Sequence, residues 1–141
     1  LVIEQPILPG VEDYLRTAKA LNLKSGVASS SDRKWVQGHL SRLGLLDFFD
    51  IVHTSDDVEH TKPHPSLYQL ALQSLSLLPE KVIVLEDSPN GVTAAKAANI
   101  FAVAVPNPLT SQLNFEHADL VLGSLAELSL KELVEIVERS E

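Results

Sequence analysis

Three polar clusters in this 141-residue chain have the residue types of phosphate and metal chemistry. The run Ser29-Ser30-Ser31 supplies hydroxyls, and a helix start just after it supplies free backbone N–H groups. Both kinds of donor suit phosphate oxygens. Lys62 stands in the loop Thr61-Lys62-Pro63-His64-Pro65. An ammonium there can neutralise charge on a transferring phosphoryl group and on the attacking oxygen. Glu86 and Asp87 are adjacent carboxylates. Such a pair can bind a hard cation such as Mg²⁺, which takes oxygen ligands and often shares them with a substrate phosphate.

Each cluster follows a segment patterned as a buried strand. Residues 25–28, 50–53 and 82–85 are short and largely apolar, as expected of strands covered on both faces. Helical spacing lies between them. Val11, Leu15, Ala18 and Leu21 follow the Pro9-Gly10 turn; Val36, Leu40 and Leu43 follow a serine or Asp32 as N-cap and precede Gly44 as the C-terminal stop. Pro65 opens a helix carrying Leu67, Leu70, Ala71 and Leu75. An alanine-rich helix with Ala94, Ala95, Ala97 and Ala98 leads to a strand over 101–105, an edge strand over 120–122 and a last helix with Leu130, Leu133, Val134 and Val137. Ser124 with Glu127, and Ser129 with Glu132, have capping-box spacing. Residues 106–117 form the longest loop, with room for a short helix. The alternation predicts an α/β domain, a Rossmann-like doubly wound parallel sheet. In such sheets ligands bind beyond the carboxyl ends of the strands, so the three clusters should meet at one edge.

Bulk properties narrow the partners. The net charge is −8 and no Lys/Arg run offsets it, which argues against nucleic acid and anionic membrane surfaces. No segment is long and apolar enough to span a bilayer. With no cysteine, disulfides and thiolate metal sites are excluded, and a cytoplasmic location is expected.

Each cluster also has a plainer reading. Ser29 could cap a helix. Lys62 could be a solvated loop lysine. Glu86 and Asp87 could cap the helix that follows, although two acids directly after a buried strand cost desolvation unless something pairs with them. His60 and His64 have metal-pair spacing, but Pro63 and Pro65 oppose a shared helical face. His39, His53 and His117 read as surface or packing residues, Trp35 as partly buried, and Asp56 and Asp57 as loop caps.

Taken in order, "GVASSS", "KPHPSLY" and "VIVLEDSPNG" resemble motifs II, III and IV of the haloacid dehalogenase superfamily. The likeness is greatest to its β-phosphoglucomutase and phosphatase branch, which carries a helical cap. "PILPGVEDYL" resembles that branch's return from cap to core, and "LGLLDFFDIV" its approach to the next strand. The resemblance implies that Ser29, with Ser30 beside it, binds the transferring phosphoryl group. It implies that Lys62 stabilises nucleophile and phosphate, and that Glu86 and Asp87 hold Mg²⁺. His64 stands where the branch more often has a small residue or proline.

The family's motif I is Asp-x-Asp at the end of a first strand, and no such tripeptide occurs here; Asp56-Asp57 has the wrong spacing and place. No nucleophile is therefore assigned in this chain. The expectation is a cap-to-core hinge remnant over 1–10 and a phosphatase core over 11–141 that lacks its central first strand. Its neighbours would then be left with unpaired backbone groups unless the sheet rearranges. Function is expected to be phosphatase or phosphomutase action on a small phosphorylated metabolite, such as a sugar phosphate, through an aspartyl-phosphate in the complete protein. This chain alone is expected to be inactive. Two readings compete: a non-catalytic module that assembles with a complementary piece such as its own missing N-terminal segment, and a phosphoacceptor receiver domain. The receiver order is disfavoured because its acidic pair would follow the first strand.

Overall fold

The computed structural model describes residues 2–3 and 10–139. Six parallel strands form one sheet: β1 (Val2–Ile3), β2 (Gly26–Ala28), β3 (Ile51–His53), β4 (Ile83–Glu86), β5 (Phe101–Ala104) and β6 (Leu120–Val121). Their order across the sheet is β3-β2-β1-β4-β5-β6. Among the described residues α1 (Val11–Ala20), α2 (Arg33–Leu43), α3 (Ser66–Leu75) and α4 (Pro89–Ala97) connect successive strands from β1 to β5, and α5 (Leu130–Arg139) follows β6.

Side-chain alternation along the strands divides the core into two layers. Ile3, Val27, Leu85 and Val103 face one way and pack with residues of α1, α2 and α5. Val2, Ala28, Val84, Ala102 and Ala104 face the other way, against α3 and α4. On this second face alanine meets alanine: Ala94, Ala95 and Ala98 lie against the small strand residues, so α4 can approach the sheet closely. This is the doubly wound Rossmann-like architecture that the sequence pattern predicts.

The sheet has no gap between β2 and β4. Val2 and Ile3 pair with Gly26 and Val27 on one side and with Val84 and Leu85 on the other. The sheet is rearranged rather than left with unpaired neighbours: Val2 and Ile3, expected in the hinge, take the central place and are fully buried there. The remaining hinge residues, 4–9, lie outside the described residues.

Local signals act as expected at most ends. Asp32 caps α2, accepting from the Trp35 amide at 2.8 Å. Gly44 closes it with φ 67°, which lets the Leu45 amide reach back to Leu40 O at 3.0 Å, the pattern of a left-handed helix stop. Ser129 and Glu132 form a reciprocal capping box at α5. The Ser124 hydroxyl accepts from the Ala126 amide, and the residue opens a single 3-10 turn. Residues 106–117 contain turns and no helix. Two leucines at helical spacing depart from their expected burial. Leu21 and Leu43 lie on the surface, where the chain turns off the ends of α1 and α2. Trp35 is half exposed, in keeping with the partial burial expected of it, with its ring stacked on His39 four residues on.

Candidate active site

Ser29 is the first residue past β2. Its amide continues the ladder to His53 O at 3.0 Å, and its hydroxyl accepts from the Ser31 amide at 3.1 Å. It is buried, and since Asp32 caps α2, the capping role does not account for it. The Ser30 hydroxyl is also shut off from solvent and has no hydrogen-bond partner among the described residues. Buried hydroxyls almost always have partners, and this one stands close to the start of α2.

Lys62 is not a solvated loop residue. Its side chain is 2% exposed. The ammonium donates to Ala28 O at 2.7 Å and to Glu86 Oε2 at 2.8 Å. The loop after β3 thus sends its lysine back across the sheet edge to the ends of β2 and β4. Glu86, the last residue of β4, is completely buried. Besides Lys62 it receives the Tyr68 hydroxyl on Oε2 and the Ser88 hydroxyl on Oε1 at 3.4 Å. Ser88, not either acid, caps α4, taking the Gly91 amide at 3.1 Å.

Asp87 is buried beside Glu86 with a different partner. Its Oδ2 accepts from Asn107 Nδ2 at 2.8 Å. The Asn107 amide has a fixed orientation, because its Oδ1 accepts the backbone N–H groups of Leu109 (2.8 Å) and Thr110 (3.0 Å). Burial and the neighbouring Glu86 charge push the Asp87 carboxyl above the usual carboxylate range, against the pull of the Asn107 bond and of Lys62. A buried carboxylate in that condition gains from a cation, so Asp87 fits a Mg²⁺ ligand by its chemistry. Among the described residues no group of three or more His, Cys, Asp and Glu could hold a metal ion, so the pair does not complete a cage.

The structure therefore brings Lys62, Glu86 and the end of β2 together, with Asp87 adjoining. Sequence reasoning missed Tyr68 and Asn107. Tyr68 stood beside the core positions Leu67 and Ala71; Asn107 stood in the loop that follows β5, past the carboxyl edge where its neighbours were sought.

The other candidates fall outside this cluster. The His60 and His64 rings lie 5.2 Å apart, and His64 Nδ1 takes the Ser66 amide at the start of α3 (3.2 Å). Asp57 forms a capping box with Thr54 and pairs with Arg33, while Asp56 accepts the Arg33 amide at 3.0 Å. His53 bonds Ser74 at 2.8 Å, and His117 bonds Thr93 at 3.0 Å.

A buried lysine–carboxylate pair and a second acid thus stand at the carboxyl edge of a parallel sheet on an α/β fold. The haloacid dehalogenase-like hydrolase profile matches residues 4–105, and the chain belongs to that family. It is 51% identical over 127 residues to the protein YhcW of Bacillus subtilis strain 168, covering 90% of this chain and 58% of that protein. It is 35% identical over 131 residues to hexitol phosphatase B of Escherichia coli K12, covering 92% of this chain and 59% of that one. The crystal structure of β-phosphoglucomutase from Clostridium difficile superposes with a TM-score of 0.84 at 31% identity, covering 95% of this chain and 57% of the other. The chain thus spans under two thirds of the length of these relatives. No helix among the described residues is long and apolar enough to cross a membrane.

Proposed function

We propose that this chain supplies the phosphate- and metal-binding part of a Mg²⁺-dependent phosphatase or phosphomutase. Its substrate class is a small phosphorylated metabolite, a sugar phosphate above all, and its compartment the cytoplasm. The observation that carries this reading is the buried Lys62 ammonium, shared between Glu86 and the Ala28 carbonyl at the sheet edge. A lysine stem loses roughly 1.5–2 kcal/mol of rotamer freedom on burial, and its charge loses hydration, so a placed ammonium calls for a reason. Phosphate charge is one, and the names of relatives such as hexitol phosphatase B support it.

In this reading Ser29 and Ser30 donate to the phosphoryl oxygens. Lys62 offsets the charge that develops on them, and Glu86 holds Lys62 in place. Asp87 and Glu86 are the Mg²⁺ ligands from this chain. When bound, Mg²⁺ supplies charge neutralisation and orientation of the phosphate. The nucleophile is an aspartate of the complete protein, which passes through an aspartyl-phosphate. Its strand would sit between β2 and β4, the place that Val2–Ile3 takes here, so the two compete for one position. The test is release of phosphate from a sugar-phosphate panel with and without Mg²⁺, by the complete protein and by this chain. Mg²⁺-dependent turnover by the first and none by the second is expected; no turnover by the complete protein on any phosphoester would overturn the reading.

A further inference from the structure

Neither the three motifs nor their roles explain Tyr68. It lies on α3, and its side chain is fully buried. Its hydroxyl donates to Glu86 Oε2, the oxygen that also takes the Lys62 ammonium. Its ring lies beneath the same ammonium, with Nζ 4.7 Å from the ring centroid. An ordinary core tyrosine needs some acceptor for its hydroxyl, and a backbone carbonyl is enough. This one meets both halves of a buried ion pair at once: the carboxylate through its O–H, the cation through its ring face. Each contact favours the arrangement in which the other exists, because a hydrogen bond to Oε2 turns that oxygen toward the ammonium lying over the ring.

We propose that Tyr68 is a positioning residue: it locks Glu86 against Lys62 and so fixes the ammonium beside the Ala28–Ser29 peptide. The geometry stands by itself; its catalytic consequence rests on the proposed phosphoryl-transfer reading. A lysine without this lock would keep its charge and burial but sample several positions, and charge stabilisation depends on placement.

The experiment is an NMR measurement on this chain of hydrogen exchange at the Lys62 ammonium, its ¹H–¹⁵N signal identified by its loss in Lys62→Arg. The wild type should show a slowly exchanging signal, and Tyr68→Phe should speed exchange about fivefold or more as the shared hydrogen-bond network loosens. An unchanged exchange rate in folded Tyr68→Phe overturns the proposal. Should that variant fail to fold, the wild type decides. A Tyr68 hydroxyl proton with a cross-relaxation peak to the Lys62 ammonium supports the lock, and a hydroxyl in fast exchange with water contradicts it. In the complete protein, Tyr68→Phe should lower kcat about tenfold with KM nearly constant, the pattern of a lost transition-state interaction. Equal turnover in the two would overturn the catalytic consequence. Absence of turnover in the wild type would instead defeat the phosphoryl-transfer reading and leave the exchange result to decide the lock.

Discussion

Gly91 and Glu86 touch so closely that a Cβ on Gly91 would stand 1.8 Å from the Glu86 carboxyl carbon. The first turn of α4 runs directly over the carboxylate that holds Lys62. Only a residue without a side chain leaves it room.

Gly91→Ala should therefore be costly, although alanine is the better helix former. Either α4 lifts off the sheet or Glu86 swings out of its pair with Lys62. A loss of about 1–3 kcal/mol in denaturant unfolding is expected, as for overpacked cores. Asn90→Ala, at an exposed position of the same helix, should change stability by less than about 0.5 kcal/mol. Equal stability of Gly91→Ala and wild type would contradict the packing described.

Mg²⁺ should stabilise the folded chain through Asp87. At ten times Kd the gain is about 1.4 kcal/mol, a rise of a few degrees in Tm. Asp87→Asn should abolish that rise. In the absence of Mg²⁺ it should not lower Tm, since it removes a charge that burial and Glu86 already disfavour. Asn107→Ala should weaken the Mg²⁺ response without abolishing it, because the Asp87 carboxylate loses its fixed donor. The same Mg²⁺-induced Tm shift in all three proteins would show that the ion binds elsewhere.

Alkali should act through Tyr14. Burial and the charge of Glu132 push its hydroxyl up to about 12, and that hydroxyl donates to Leu128 O, tying α1 to the segment before α5. In the unfolded chain the phenol ionises near pH 10. The bound phenol's contribution is whole below that pH and is lost as pH rises through about 12. The stability gap between wild type and Tyr14→Phe, read by urea unfolding, should shrink over that interval. A gap that stays constant would refute the assignment.

Acid should act through Asp57. Burial raises its carboxyl, but the Thr54 amide, Arg33 and His53 outweigh that and hold it below the usual range. The folded value lies under the unfolded one, so its contribution is present above about pH 3.9 and is lost as pH falls through the folded value. Asp57→Asn should lower Tm near neutrality, with the difference closing at the acid end. A difference independent of pH would contradict the sign.

Much of the site was legible because strand ends announce themselves. An apolar run that stops at Glu86-Asp87, or at Ser29, marks the carboxyl edge of the sheet without any knowledge of contacts. Lys62 was legible by motif order alone; nothing local foretells that a loop lysine reaches back to Ala28. Tyr68 was hidden because a buried tyrosine fits the α3 stripe whether or not its hydroxyl meets a carboxylate. Asn107 was hidden because its bond to Asp87 depends on the path of the loop after β5. The central β1 escaped notice for a third reason. Two apolar residues carry no strand signature, and pairing with both β2 and β4 is a property of the assembled sheet.

The central claim is that Lys62 is placed for phosphate and not for stability. The most direct measurement compares Lys62→Ala with wild type in the complete protein, scoring Mg²⁺-dependent sugar-phosphate hydrolysis beside urea unfolding. The account predicts that turnover falls by about a hundredfold or more, as when one transition-state donor is removed, a larger loss than the fall in folded fraction that comes from leaving Glu86 buried without its cation. Turnover that falls only in proportion to the folded fraction would contradict it and leave Lys62 as half of a structural ion pair.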